Sequence, residues 1–184
     1  EGAWMFEYLK FMAQTARECG LGILHDFHIS PGDAAFVARN LGDVIKFYEI
    51  DNEVLLIPGA KTEYFDYWRE VRERIRQERP GAPVFVTGAA AQPFALHQEF
   101  DRRGLTFDAI GQHSYVDRRE APAHFRDDAV SLGGFATGRG QMPINTEYNW
   151  RMITRETEAQ QAQHFGEISD HYLGPRAMPV AFQF

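Results

Sequence analysis

Six apolar, β-branched runs alternate with amphipathic helical stretches along the whole chain, and this alternation limits the fold more than any other feature. The runs are "LGILHDFHI", "DVIKFYEIDNEV", "PVFVTGAA", "FDAIGQHSYV", "MPINTEYNW" and "MPVAFQF". A strand that is always followed by a helix cannot return as a hairpin, so the sheet it enters is parallel. The punctuation agrees with this reading. A first helix over Glu1 to Cys19 stops at Gly20. "SPGDAAFVARNL" predicts a short helix with Ser30 as N-cap, Pro31 in the first turn and Asp33 completing a capping box. A long helix is expected from about Thr62 to Arg79, ended by "RPGAP". Its run "REVRERIRQER" reads as a solvated face with i,i+4 pairs.

Two architectures satisfy this pattern, an open doubly wound sheet and a closed (β/α)8 barrel. No glycine-rich phosphate loop follows the first strand, which weakens the dinucleotide-binding form of the open sheet. Polar residues gather at the C-terminal ends of the strands: His28, Glu53, His113, Tyr115 and Glu147. Barrel enzymes build their sites there, and open sheets bind ligands there too, so this feature favours the barrel without deciding it. With 184 residues, the chain is expected to form one domain. A net charge of −7 argues against a nucleic-acid surface, and no apolar run is long enough to span a membrane. The single cysteine, Cys19, cannot form an internal disulfide.

"YEIDNEV" carries the chemistry. In a regular strand, Glu49, Asp51 and Glu53 alternate onto one face. The apolar run "VIKFY" before them argues for a buried strand rather than a solvated edge. A second acid, Glu147, lies in "INTEYNW", where an apolar strand turns polar. Two carboxyl groups held close together, one protonated and one ionised, are the equipment of glycoside hydrolysis.

"YEIDNEV" and "INTEYNW" resemble the two signatures of the clan A glycoside hydrolases, the 4/7 superfamily, most closely family 39 and then family 5. "HSY" at 113 to 115 is similar to the clan's sixth strand, and "HDFH" at 25 to 28 to its third. The resemblance implies a TIM barrel and retaining hydrolysis of β-glycosidic bonds, with no cofactor and no metal. Glu53, after Asn52, would be the acid/base and Glu147 the nucleophile. Asn52 would donate to the sugar 2-hydroxyl, and Tyr115 would hold the nucleophile. His28 and His113 would line the sugar site, and Trp150 would stack on a ring. Tyr148 and Trp68 are further candidates for stacking, although Trp68 shares a helical stripe with Tyr64, Phe65 and Val71 that fits core packing better. Glu49 and Asp51 are expected to support the site, paired with Lys46, His25 or arginines.

Such a barrel takes about 250 residues. If Glu53 ends the clan's fourth strand, strands three to eight are visible here and strands one and two are not. The expectation is therefore a single catalytic barrel domain over 1–184, incomplete on the N-terminal side, as a piece of a longer product or with a partner closing it. Val54 stands where the clan often has proline. The substrate is expected to be an oligosaccharide, polysaccharide or β-glycoside, with no nucleic-acid or membrane partner. Secreted and cytoplasmic locations both stay open, as does the oligomeric state. Two other readings remain. One is a metal-dependent sugar isomerase or epimerase, with ligands drawn from His25, Asp26, His28, Glu53, His113 and Glu147. The other is a non-catalytic carbohydrate-binding barrel fragment.

Overall fold

The computed structural model describes residues 2–52, 54, 62–88, 94–116, 121–150, 157, 159, 160, 162, 163, 166, 167 and 180–183. They form an α/β structure with parallel strands, divided into two compact units. The first takes residues 1–52 and 56–86, the second 53–55 and 87–184.

In the first unit, helix α1 (Gly2–Cys19) turns its small residues inward, Ala13 and Ala16, both buried. Gly20 ends it in the left-handed region at φ 68, and Leu21 N–H closes back on the Ala16 carbonyl. Strand β1 (Ile23–Phe27) leads into α2 (Pro31–Leu41). Ser30 caps α2 as expected, with its hydroxyl accepting from the Asp33 amide. Strand β2 (Ile45–Ile50), helix α3 (Thr62–Glu78) and strand β3 (Val84–Phe85) complete the unit. The sheet order is β1-β2-β3, all parallel. Phe65, Trp68, Val71 and Ile75 are fully buried on one stripe of α3. Trp68 is therefore core and is removed from the stacking candidates. The opposite face of α3 carries the expected short-range pairs, Arg69 with Asp66 at 3.0 Å and Arg74 with Glu70 at 3.8 Å.

The second unit contains α4 (Ala95–Arg102), β4 (Ala109–Val116), α5 (Ala121–Thr137), β5 (Met142–Trp150) and β6 (Val180–Gln183). Its sheet runs β4-β5-β6, again parallel. Two parallel bridges extend the pairing beyond β4, Thr87 with Gly111 and Val54 with Gly88. Leu96, Phe100, Phe107, Ile110, Leu132 and Ile144 fill the interior. His97 is buried among them. Its Nε2 lies 3.4 Å from the Gly111 carbonyl and its ring meets Phe107 edge-on at 4.9 Å. All six expected strands are present. Residues 159, 160, 162, 163, 166 and 167 are helical where the last helix was expected. Among the described residues, no helix is long and apolar enough to cross a membrane.

Two histidines, half-buried His25 and buried His97, make this structure sensitive to acid. Burial lowers the pKa of His25 to about 4. It lowers His97 to about 4 as well, partly offset by the Gly111 carbonyl and Asp101. Both rings fold neutral, whereas the unfolded chain protonates them near pH 6.5. Their full contribution is therefore present above that value and is lost as the pH falls towards 4, by up to about 3 kcal/mol each. Urea unfolding at pH 7 and pH 4.5 should show this loss, and His97→Gln should shrink the difference between the two pH values. An unchanged difference in the variant would show that His97 does not titrate in this window.

Candidate active site

β1 and β2 run in register to their last residues, where Phe27 pairs with Ile50. The next residues on each chain are His28 and Asp51, so the register alone brings them together. His28 Nδ1 donates to Asp51 Oδ1 at 2.5 Å. The two groups sit in opposite environments, the His28 side chain 80% exposed and that of Asp51 11%. Helix α3 packs beside them. The Tyr67 ring lies 5.4 Å from the His28 ring, and its hydroxyl donates to the Ile29 carbonyl at 3.0 Å. Burial raises the pKa of Asp51, while the His28 hydrogen bond and charge pull it down. Burial and the nearby Asp51 also push the Tyr67 phenol up to about 12 and that of Tyr64 higher still.

Asp51 corrects one expectation. The strand ends at Ile50, and Asp51 has φ 64, alone among the described non-glycine residues in having a positive φ. The alternation from Glu49 to Glu53 therefore breaks at Asp51. A left-handed residue with a Cβ costs on the order of 1 kcal/mol, least for Asn and Asp. The partner of Asp51 is His28, not Lys46, His25 or an arginine. Lys46 is exposed and donates to the Asp43 carbonyl instead. Glu49 is buried, 2% exposed. Asn52, the next residue after Asp51, is exposed.

In the second unit, polar side chains are buried along β4 and β5. Gln112 pairs in register with Asn145, 4% and 0% exposed. One residue further, the register slips. His113 pairs with Glu147, which leaves Thr146 as an extra residue on β5. β6 sees the same slip, since Asn145 pairs with Ala181 and Tyr148 with Gln183. Thr146 is thus a β-bulge against both neighbours, a feature that re-aims the residue beside it. Its hydroxyl lies 3.4 Å from that of Thr87, which is itself fully buried. Glu147 does not end its strand as expected, because β5 continues to Trp150. His113 also lies within β4, three residues before its end, and is 1% exposed.

The expected residues are therefore distributed as follows. His28 and Asn52 sit at or beyond strand ends in the first unit. His113, Tyr115, Glu147 and Trp150 lie on adjacent strands of the second, with His113 and Glu147, and Tyr115 and Asn149, in register. Glu53 lies outside the described residues, as do the side chains of Tyr115, Glu147, Tyr148 and Trp150. The buried polar residues Thr87, Gln112 and Asn145 went unread in the sequence. Their signal was present, since "AIGQHSY" and "PINTE" both interrupt apolar strands with amides and hydroxyls. Among the described residues, no three His, Cys, Asp or Glu side chains converge as metal ligands would.

No family model matches the chain, and no curated protein matches it by sequence. Solved structures do match its fold. Thermotoga maritima Cel5A, solved with cellobiose, superposes with a TM-score of 0.69 at 11% identity over 99% of this chain and 71% of its own. The GH53 catalytic domain of Ignisphaera aggregans gives 0.61 at 12% identity, over 95% of this chain and 66% of its own. A GH128 endo-β-1,3-glucanase from Amycolatopsis mediterranei, in complex with laminaritriose and laminaribiose, gives 0.60 at 14%, over 89% and 71%. The chain thus spans about two thirds of the length of these TIM-barrel glycoside hydrolases. They are consistent with clan A, and none of the three is a family 39 enzyme. At these identities the likeness establishes the fold.

The two candidate-site histidines should respond unequally to truncation. His113 is enclosed, so His113→Ala should cost about 2 to 3 kcal/mol of stability. His28 is exposed, so His28→Ala should cost about 1 kcal/mol or less. Chemical denaturation of both variants checks this, and equal losses would contradict the burial described here.

Proposed function

We propose that this chain is the catalytic (β/α)-barrel domain of a retaining glycoside hydrolase that cleaves β-glycosidic bonds through a glycosyl-enzyme intermediate. In this reading the 184 residues hold strands three to eight of the clan's numbering. The observation that carries it is the bulge at Thr146, which brings Glu147 into register with His113 on a buried polar stretch of parallel sheet. Two further facts support it. Asn52 and Glu53 follow directly on a backbone turn at the end of β2, and the fold is that of glycoside hydrolases. Family 39 or family 5 remains the finer assignment.

The chemistry follows from two carboxyl groups about 5 to 5.5 Å apart. Glu147, ionised, attacks the anomeric carbon as Glu53 gives its proton to the departing glycosidic oxygen. The bond to the leaving group breaks and an ester to Glu147 forms. Glu53, now a carboxylate, takes a proton from water. The water oxygen displaces Glu147 and the sugar leaves with its original anomeric configuration. The negative carboxylate of Glu147 and the shared site favour a protonated Glu53 before the first step. Asn52 donates to the 2-hydroxyl, Tyr115 holds Glu147, and His28, His113 and Trp150 line the sugar. The substrate is an oligosaccharide, polysaccharide or simple β-glycoside. β-Glucans are the first to test, given the cellobiose and laminarin oligosaccharides bound by structures of this fold.

Glu147→Gln should abolish turnover and leave the fold intact, by circular dichroism. A 2-fluoro-glycoside inactivator should label Glu147 in a mass-spectrometric digest, and a label on another carboxylate would sink the assignment. Glu53→Ala should slow natural substrates far more than aryl glycosides with good leaving groups. Azide should restore part of its rate by attacking the ester in place of base-activated water. Equal losses on both substrate types, without azide rescue, would remove Glu53 from the acid/base role.

A further inference from the structure

We infer that Asp51 is a positioning residue of this site, acting on its neighbours in two ways. Its carboxylate fixes the ring orientation and tautomer of His28, and its left-handed backbone sets the point at which the chain leaves β2, directly before Asn52. The inference rests on the glycosidase reading for its role, and on geometry for the pair itself.

Three observations converge on it. First, Asp51 alone among the described non-glycine residues has a positive φ, and it stands immediately before the Asn52–Glu53 pair. Strain of this kind persists only where surrounding structure over-determines it, and it gathers at functional sites. Here the determinants are visible. The β1–β2 ladder holds register up to Phe27 and Ile50, and the His28 bond ties Asp51 across it. Second, the pair is asymmetric. A carboxylate 11% exposed backs an imidazole that is 80% exposed. A buried anion behind an exposed ring is an arrangement for controlling the ring rather than for holding two strands together, because a surface pair adds little stability. Third, the remaining ring edge is available. Nδ1 is taken by Asp51, one side of the ring packs on Tyr67, and Nε2 has no protein partner among the described residues.

The chemical consequence is specific. With Nδ1–H donated to Asp51, a neutral His28 holds its lone pair on Nε2. It therefore presents an acceptor, and the ligand group it fits is a donor, namely a sugar hydroxyl. Released from Asp51, the ring would rotate and favour the other tautomer, which presents a donor instead. Among the described residues, Tyr64 and Tyr67 of α3 are titratable groups that feel the charge of Asp51.

The test uses two readouts. The tautomer of His28 is read from long-range ¹H–¹⁵N couplings in the labelled protein at a pH where the ring is neutral. Turnover is read as kcat/KM on an aryl β-glycoside. In the wild type the Nδ1–H form should dominate. In Asp51→Gly, which accepts a positive φ without a Cβ, the Nε2–H form should take over. Its urea midpoint should be unchanged or higher, and kcat/KM should fall by about 10- to 100-fold, the usual scale for losing an outer partner of a site residue. The double variant Asp51→Gly with His28→Ala should be no slower than His28→Ala alone, since Asp51 acts through His28. An unchanged tautomer in Asp51→Gly overturns the pair. A full further loss in the double variant overturns the route through His28. If Asp51→Gly does not fold, Asp51→Ala removes the acceptor altogether. The Nδ1–H fraction must then fall, or the inference is wrong. A wild-type chain with no glycosidase activity overturns the parent reading, while the tautomer still decides whether the pair exists.

Discussion

Parallel strand pairing is the constraint from which the rest of this structure follows. Its slanted hydrogen bonds join strands whose C-terminal ends all lie at one edge. Each strand must then be carried back by a helix, which covers a face of the sheet and buries it. Both sheets obey this rule, with β1-β2-β3 and β4-β5-β6 adjacent in chain order. Burial of both faces explains why polar residues in these strands matter. A side chain such as Gln112 or Asn145 cannot find water there, so it is held by other protein groups or serves a ligand.

Within that frame, two local departures from regular geometry shape the candidate site. The first is the extra residue Thr146, which shifts β5 by one position against both neighbours. A one-residue slip reverses the face of every residue that follows. A bulge uses that reversal to re-aim part of a strand while its earlier part stays packed. The second departure is the left-handed Asp51, which stops β2 at Ile50. Both departures fall beside the acids that the glycosidase reading requires. Within its own unit, each irregular position is confined by the regular ladder that flanks it.

Charge is handled differently at the surface and in the interior. On the exterior, Arg17 with Asp43 and Arg39 with Glu78 tie helices and loops through two-point contacts, and these pairs hold Asp43 and Glu78 below their ordinary pKa. Further inward, loss of water keeps half-buried His25 and buried His97 neutral. The pair of His28 and Asp51 lies between these cases, with one member wet and one nearly dry.

The sequence by itself determined the strand and helix order, the caps at Ser30 and Gly20, and the identity of the polar runs. These are local properties, set by periodicity, by the φ freedom of glycine and by side-chain capping, and each is written within a few residues. The motifs around Asn52 and Glu147 are local in the same sense. Register was not. Period-two alternation put Asp51 on the same face as Glu49, but the ladder with β1 ended at Ile50 and His28 became its partner. Nothing in "INTEYNW" alone marks Thr146 as surplus, because a bulge is defined only by the count on the opposite strand. The pairing of buried Gln112 with buried Asn145 likewise draws on segments far apart in the chain. Pairing between distant segments belongs to tertiary structure, and it decided which of the polar residues meet.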